Sequence, residues 1–205
     1  TNYVQAQQAF DAALQKDSQE LDAILGQGSL ALSRHHFDKA IEWGEKAKII
    51  NPFRAQIYGV IGDGLVEMGR YEDATNMMQK MVDTRPDLNS YSRVSYIREL
   101  NSDMKGAIEA MKIAVQSGNP MHEGTLWSMY QLGNLYFNSS NLTEAEKVYS
   151  NVLQIKPGYI YARAGRAKVW AAQGHMQQAI EEYRQINETL PLPEFVIALG
   201  DLYQI

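Results

Sequence analysis

The stretch YQLGNLYFNSSNLTEAEKVY, Tyr130–Tyr149, decides the fold. Two short apolar phrases, LGNLYF and EAEKVY, flank a polar turn, and the small residues Gly133 and Ala145 stand twelve positions apart across it. The same spacing returns in Gly28 with Ala40, Gly62 with Ala74, Ser95 with Ala107 and Ala167 with Ala179. With Ala6 added in front, the alanines step by 34, 34, 33, 38 and 34 residues. Pro52, Pro86, Pro157 and Pro191 keep the same clock, each twelve residues after its alanine. The quoted stretch is one copy of a repeat.

Each recurring residue has a physical reason. Small side chains at positions such as Gly133 and Ala145 let the two helices of a hairpin approach closely. Larger apolar residues recur four and seven positions after the alanines, as in Phe10 with Ala13, Met78 with Met81, Tyr149 with Val152 and Tyr183 with Ile186. That spacing is one face of an α-helix. The prolines follow the second helix, which they cannot continue, and suit the entry to the next. Short turns such as MGRYED and QGHMQQ separate the helices, and no segment alternates with period two. The expectation is an all-α chain of eleven or twelve antiparallel helices without strands.

These residues resemble the tetratricopeptide repeat (TPR) family, whose signature is W-x2-L-G-x2-Y, then A-x3-F, then P. The fourth copy reads Met129, Leu132, Gly133, Tyr136, Ala145, Tyr149 and Pro157. The resemblance spans essentially the whole chain and implies a right-handed α-solenoid of antiparallel helix pairs. Full repeats are expected at 21–54, 55–87, 88–121, 126–159 and 160–192. Residues 1–20 supply only a second helix and 193–205 only a first. Two departures stand out. Arg98 falls where a large apolar residue is usual on the inner face. The junction 117–125 is longer, and Asn119 before Pro120 reads as a helix start that adds a turn to the fourth repeat's first helix.

The resemblance also implies a concave wall built from the first helices. In the fourth repeat the stripe off the buried face is Trp127, Tyr130, Asn134 and Phe137. The neighbouring repeats add Arg93, Tyr96, Tyr161 and Lys168, so aromatic side chains gather in repeats three to five. Such a wall suits an extended peptide or an amphipathic helix. The family's carboxylate clamp is not reproduced: Arg93, Asn134 and Lys168 lack the partners that complete it. Arg163, Arg166 and Lys168 read as an ion-paired or solvated helix face.

Other chemistry is excluded or weak. Against 19 basic residues stand 24 acidic ones, a formal net charge of −5, which argues against a nucleic-acid partner. No apolar run is long enough to cross a bilayer. There are no cysteines, hence no disulfides or thiolate sites. His35, His36, His122 and His175 lack ligand spacing, so no metal is implied. GVIGDG, residues 59–64, has neither a preceding strand nor a phosphate-binding lysine. Nothing resembles a nucleophile with its base, so no enzyme and no cofactor is expected. Asn138, Asn141 and Asn187 open glycosylation sequons, but the turn reads as architecture, with Thr143 and Glu146 as a capping box. The compartment stays open between the cytoplasm, which is preferred, and an exported or periplasmic setting.

The function expected is a non-catalytic scaffold or adaptor that binds a protein or peptide. The alternatives are self-assembly, or an accessory region of a larger protein. For self-assembly, the stripe Val196, Leu199, Gly200 and Tyr203 would lack a covering second helix, and Ala6, Phe10 and Ala13 a first. Ile197 to Ile205 of one copy would then pack head to tail near Phe10 of the next.

Overall fold

The computed structural model describes residues 2–204; Thr1 and Ile205 lie outside the described residues. The described residues form twelve α-helices and no strand. The helices are α1 (Tyr3–Lys16), α2 (Leu21–Ser33), α3 (Phe37–Ile50), α4 (Ala55–Glu67), α5 (Tyr71–Thr84) and α6 (Leu88–Leu100), followed by α7 (Met104–Ser117), α8 (Glu123–Asn138), α9 (Leu142–Ile155), α10 (Ile160–Ala172), α11 (Met176–Thr189) and α12 (Pro193–Leu202). None of them is long and apolar enough to cross a membrane. The chain divides into two compact units, Thr1–Asp103 and Met104–Ile205, and the division falls inside the segment 88–121, between α6 and α7.

One backbone device ends five of the first helices. Seven residues after each small residue of a first helix, the chain turns left-handed: His35 (φ 58°), Gly69 (73°), Ser102 (62°), Ser140 (61°) and Gly174 (88°). The next amide then reaches back over the turn, His36 to the Ala31 carbonyl, Arg70 to Leu65, Asp103 to Arg98, Asn141 to Tyr136 and His175 to Trp170, at 2.8–2.9 Å. This 6→1 bond is the Schellman motif, which satisfies the carbonyls a helix end leaves open.

In the first unit the core runs through α2 and α4, where Ile24, Leu25, Ile57 and Ile61 are fully buried. In the second unit its centre is Tyr149, with no exposed surface. The Tyr149 ring lies between two first helices. A Cβ on Gly133 of α8 would meet its Cε1 at 2.3 Å, and one on Gly165 of α10 would meet the same atom at 2.5 Å. So Gly133 is small because a ring from the second helix occupies the space of its side chain. Phe10 of α1 stands over Gly26 of α2 in the same way. In the first repeat the sizes are exchanged: Gly44 takes the ring's position and Ile61 of α4 fills the gap.

Four local expectations change. Helix α8 starts at Glu123, ahead of 126, so the extra turn is present, but Asn119 does not cap it. The Asn119 side chain instead accepts from the Met121 amide at 3.0 Å, in a separate turn. Helix α9 is capped by Asn141, whose Oδ1 accepts from the Glu144 amide at 3.3 Å; Thr143 already lies within the helix. Arg98 is exposed instead of facing inward, because α6 turns the smaller Ser95 and Ile97 into the core. On α12, Leu199 and Leu202 pack against Ala164, Tyr183 and Phe195 of their own unit, which leaves Val196 and Ile197, with Tyr203 just past the helix end, as exposed apolar side chains.

Candidate functional site

Six of the eight candidate residues lie on α8 and α10, neighbouring helices of the second unit. Trp127 and Tyr130 are three apart on α8, one helical turn, so their rings share a face. Tyr161 stands in the first turn of α10 and reaches both. The Trp127–Tyr130 centroids are 5.2 Å apart, Trp127–Tyr161 5.2 Å edge to face, and Tyr130–Tyr161 5.6 Å. These are the separations that aromatic pairs prefer. Tyr161 continues the series to Phe195 of α12 at 6.0 Å, and Tyr130 continues it down to the buried Tyr149 at 6.0 Å. At the top Trp127 keeps 42% of its surface exposed, while Tyr149 beneath has none. Burial pushes the Tyr149 phenol above the ordinary tyrosine range, so it acts as a neutral donor.

The remaining three are committed to different degrees. Asn134 accepts from the Tyr149 hydroxyl at 2.7 Å and donates to Gln131 at 2.8 Å, so its amide braces the wall. Lys168 holds its ammonium 4.2 Å from the centroid of the Phe137 ring. Desolvation there pulls its pKa below the ordinary lysine value, although the side chain reaches the surface. Lys168 makes no ion pair among the described residues. Arg163 is paired: Glu182 of α11 accepts from its Nε at 2.6 Å, and the same carboxylate lies 3.9 Å from Arg166.

Arg93 and Tyr96 belong to α6 of the first unit. The Arg93 guanidinium grips Asp63 of α4, with Nε to Oδ1 at 2.9 Å and a terminal nitrogen to Oδ2 at 2.8 Å. Its other terminal nitrogen donates to the Asn89 carbonyl at 3.1 Å. Burial disfavours its charge, but the bond to Asp63 and that carboxylate's field outweigh this and raise its pKa. Beside this pair open two cavities. One, of about 450 Å³, is walled by Gln56, Gly59, Asn89 and Arg93 among others. The other, of about 280 Å³, is walled by Leu32, Phe37, Val66 and Tyr96, with Asp63, Glu67 and His35 at its polar side.

Sequence reasoning centred the wall on repeats three to five and passed over these first-unit cavities. Leu32, Asp63, Val66 and Tyr96 line the smaller cavity, but only Tyr96 among them is aromatic, so a search led by aromatic side chains did not find it. It also missed Glu182 as the anchor of both arginines, since a carboxylate on a second helix reads as solvated.

Comparison with known proteins agrees with the architecture. Tetratricopeptide repeat family models match residues 136–201 and 1–55. No curated protein matches the chain. Among solved structures, PilW, a widely conserved type IV pilus biogenesis factor, superposes with a TM-score of 0.81 at 17% identity, over 97% of this chain and 90% of that one. Yeast Tom70 gives 0.81 at 16% identity, over 97% of this chain and 42% of its own. YrrB, a TPR protein with an unusual peptide-binding site, gives 0.62 at 18% identity, over 94% and 98%. At these identities the likeness is one of fold. From its 34-residue clock, its helix pairs and its family matches, the chain belongs to the tetratricopeptide repeat family.

Proposed function

We propose that this TPR chain is a non-catalytic scaffold that holds a peptide or an amphipathic helix along the wall built by α8 and α10. TPR proteins generally mediate protein interactions, and YrrB is one with a peptide-binding site. The observation that carries the reading here is Trp127, 42% exposed yet braced by Tyr130 and Tyr161. A ring held by its neighbours loses little freedom when a ligand covers it, so its buried area converts efficiently into affinity. Lys168, unpaired and part-desolvated beside Phe137, supplies a charge suited to an acidic side chain of the ligand.

Peptides selected against the wild-type chain from a displayed random library test this. Trp127→Ala with Tyr130→Ala is expected to weaken them about 30-fold or more, the equivalent of about 2 kcal/mol. The melting temperature should hardly move. A stability loss of about 3–5 kcal/mol, typical of a core deletion, would show the rings to be core. A second reading, head-to-tail self-association, is favoured by the exposed Val196 and Ile197 of α12 and Tyr203 just after it. Sedimentation of wild type against Ile197→Glu separates the two.

A further inference from the structure

We propose that the first unit carries a pocket for the side chain of a lysine or arginine, presented by a bound peptide. The proposal rests on the reading that the chain binds peptides, but it concerns a different unit and different residues. The pocket is the cavity of about 280 Å³ between α2, α4 and α6, with Phe37 of α3 in its wall. Leu32 and Val66 form an apolar floor for a methylene stem, and Tyr96, 48% exposed, offers a ring beside which a cation can lie.

The charge at the end of the cavity is negative. Asp63 is largely neutralised by Arg93, but Glu67 makes no ion pair or hydrogen bond among the described residues. Glu67 is also misplaced for its own helix. It is the last residue of α4, where the helix dipole disfavours a carboxylate, so locally it destabilises. The C-terminal ends of α2 and α4 both border the cavity, through Leu32 with His35 and through Val66 with Glu67, and both favour a cation. The Tyr96 phenol reports the same field: burial, then the charges of Glu67, Glu99 and Asp63 together with Tyr71, raise it above its ordinary pKa. A free carboxylate that weakens its helix, at the polar end of an apolar-walled cavity, matches the stem and head of a basic side chain.

The probes are Nα-acetyl-lysine methylamide and Nα-acetyl-arginine methylamide, with the uncharged norleucine analogue as control, titrated against the full chain and followed by NMR at Tyr96 and Val66. The basic probes are expected to give saturable shifts that the norleucine probe does not. Glu67→Gln should weaken them about three- to fivefold while leaving thermal stability equal or slightly raised. Tyr96→Ala should also weaken them, whereas Trp127→Ala with Tyr130→Ala should change nothing. Equal shifts from norleucine, no saturable shift, or an unaltered affinity in Glu67→Gln would each overturn the pocket. Because binding is read at Tyr96 and Val66 of the first unit, failure here leaves the α8–α10 wall standing, and failure of that wall leaves the pocket.

Discussion

The Tyr149 ring, held between two glycines, allows a quantitative comparison. An alanine at Gly133 places its methyl 2.3, 2.7 and 2.8 Å from three ring atoms. The ring cannot retreat, because the Gly165 backbone confines it from the other side, where a Cβ would stand 2.5 Å away. Overpacking of this kind costs about 1–3 kcal/mol, and the rigid ring puts Gly133→Ala at the upper end. The better helix propensity of alanine offsets about 1 kcal/mol. The expected net loss is about 2 kcal/mol, a fall of roughly 4–8 °C in melting temperature for a chain of this size. Gly62→Ala is the matched control. Its methyl meets Met78 Cε at 2.6 Å, the far end of a flexible side chain that can swing away, so the expected net change is about zero. At Gly200 a Cβ meets nothing within 4 Å, and alanine there is expected to stabilise by about 0.5 kcal/mol. Melting followed by circular dichroism on the three variants reads the order directly. In the double variant with Tyr149→Leu, Gly133→Ala should cost at least about 1 kcal/mol less than it does alone. If Gly133→Ala proves as mild as Gly62→Ala, the sandwiched ring is not what fixes the glycine.

Two further outcomes test the turns. Ser102→Gly and Ser140→Gly relieve a left-handed backbone and should each raise stability by about 0.5 kcal/mol after glycine's own entropy cost, while Gly69→Ala and Gly174→Ala should each lose about 1 kcal/mol; urea midpoints decide. Asn141→Ala removes the cap of α9 and should cost about 1 kcal/mol, whereas Thr143→Ala should cost only a few tenths, and equal losses would contradict the cap assignment.

The sequence made the repeat legible because the period is fixed by residues whose size matters everywhere, the small residues and the prolines. It misplaced finer features where two chemistries compete for one task. Asn141 and Thr143 can both cap a helix, and only the left-handed Ser140 just before decides which of them stands at the end. Asn119 before Pro120 is a sound helix signal, but the local turn captures the side chain first. For the candidate wall, helical spacing was enough to bring Trp127 and Tyr130 to one face. The tie of Asn134 to Tyr149, and of Arg93 to Asp63, links residues 15 and 30 positions apart, which no local pattern encodes. The pocket beside Tyr96 draws on four helices at once, and its decisive residue, Glu67, looks in sequence like one more surface carboxylate.

The placement of Tyr149 also sets how the second unit should come apart under load. Because the ring is shared by α8 and α10, helix α9 is tied to the repeat that follows as well as to the one that contains it. A chain drawn from its C-terminal end gives up α12 and α11 first, and the release of α10 then uncovers one side of the ring. The mechanical segment is therefore the pair α9–α10, half a repeat out of phase with the covalent period. Each full rupture should lengthen the tether by roughly 100–110 Å, the contour of 34 extended residues less the little the folded pair already spans. The steps should be bounded by the left-handed turns at Ser140 and Gly174, not by the prolines that mark the written repeat.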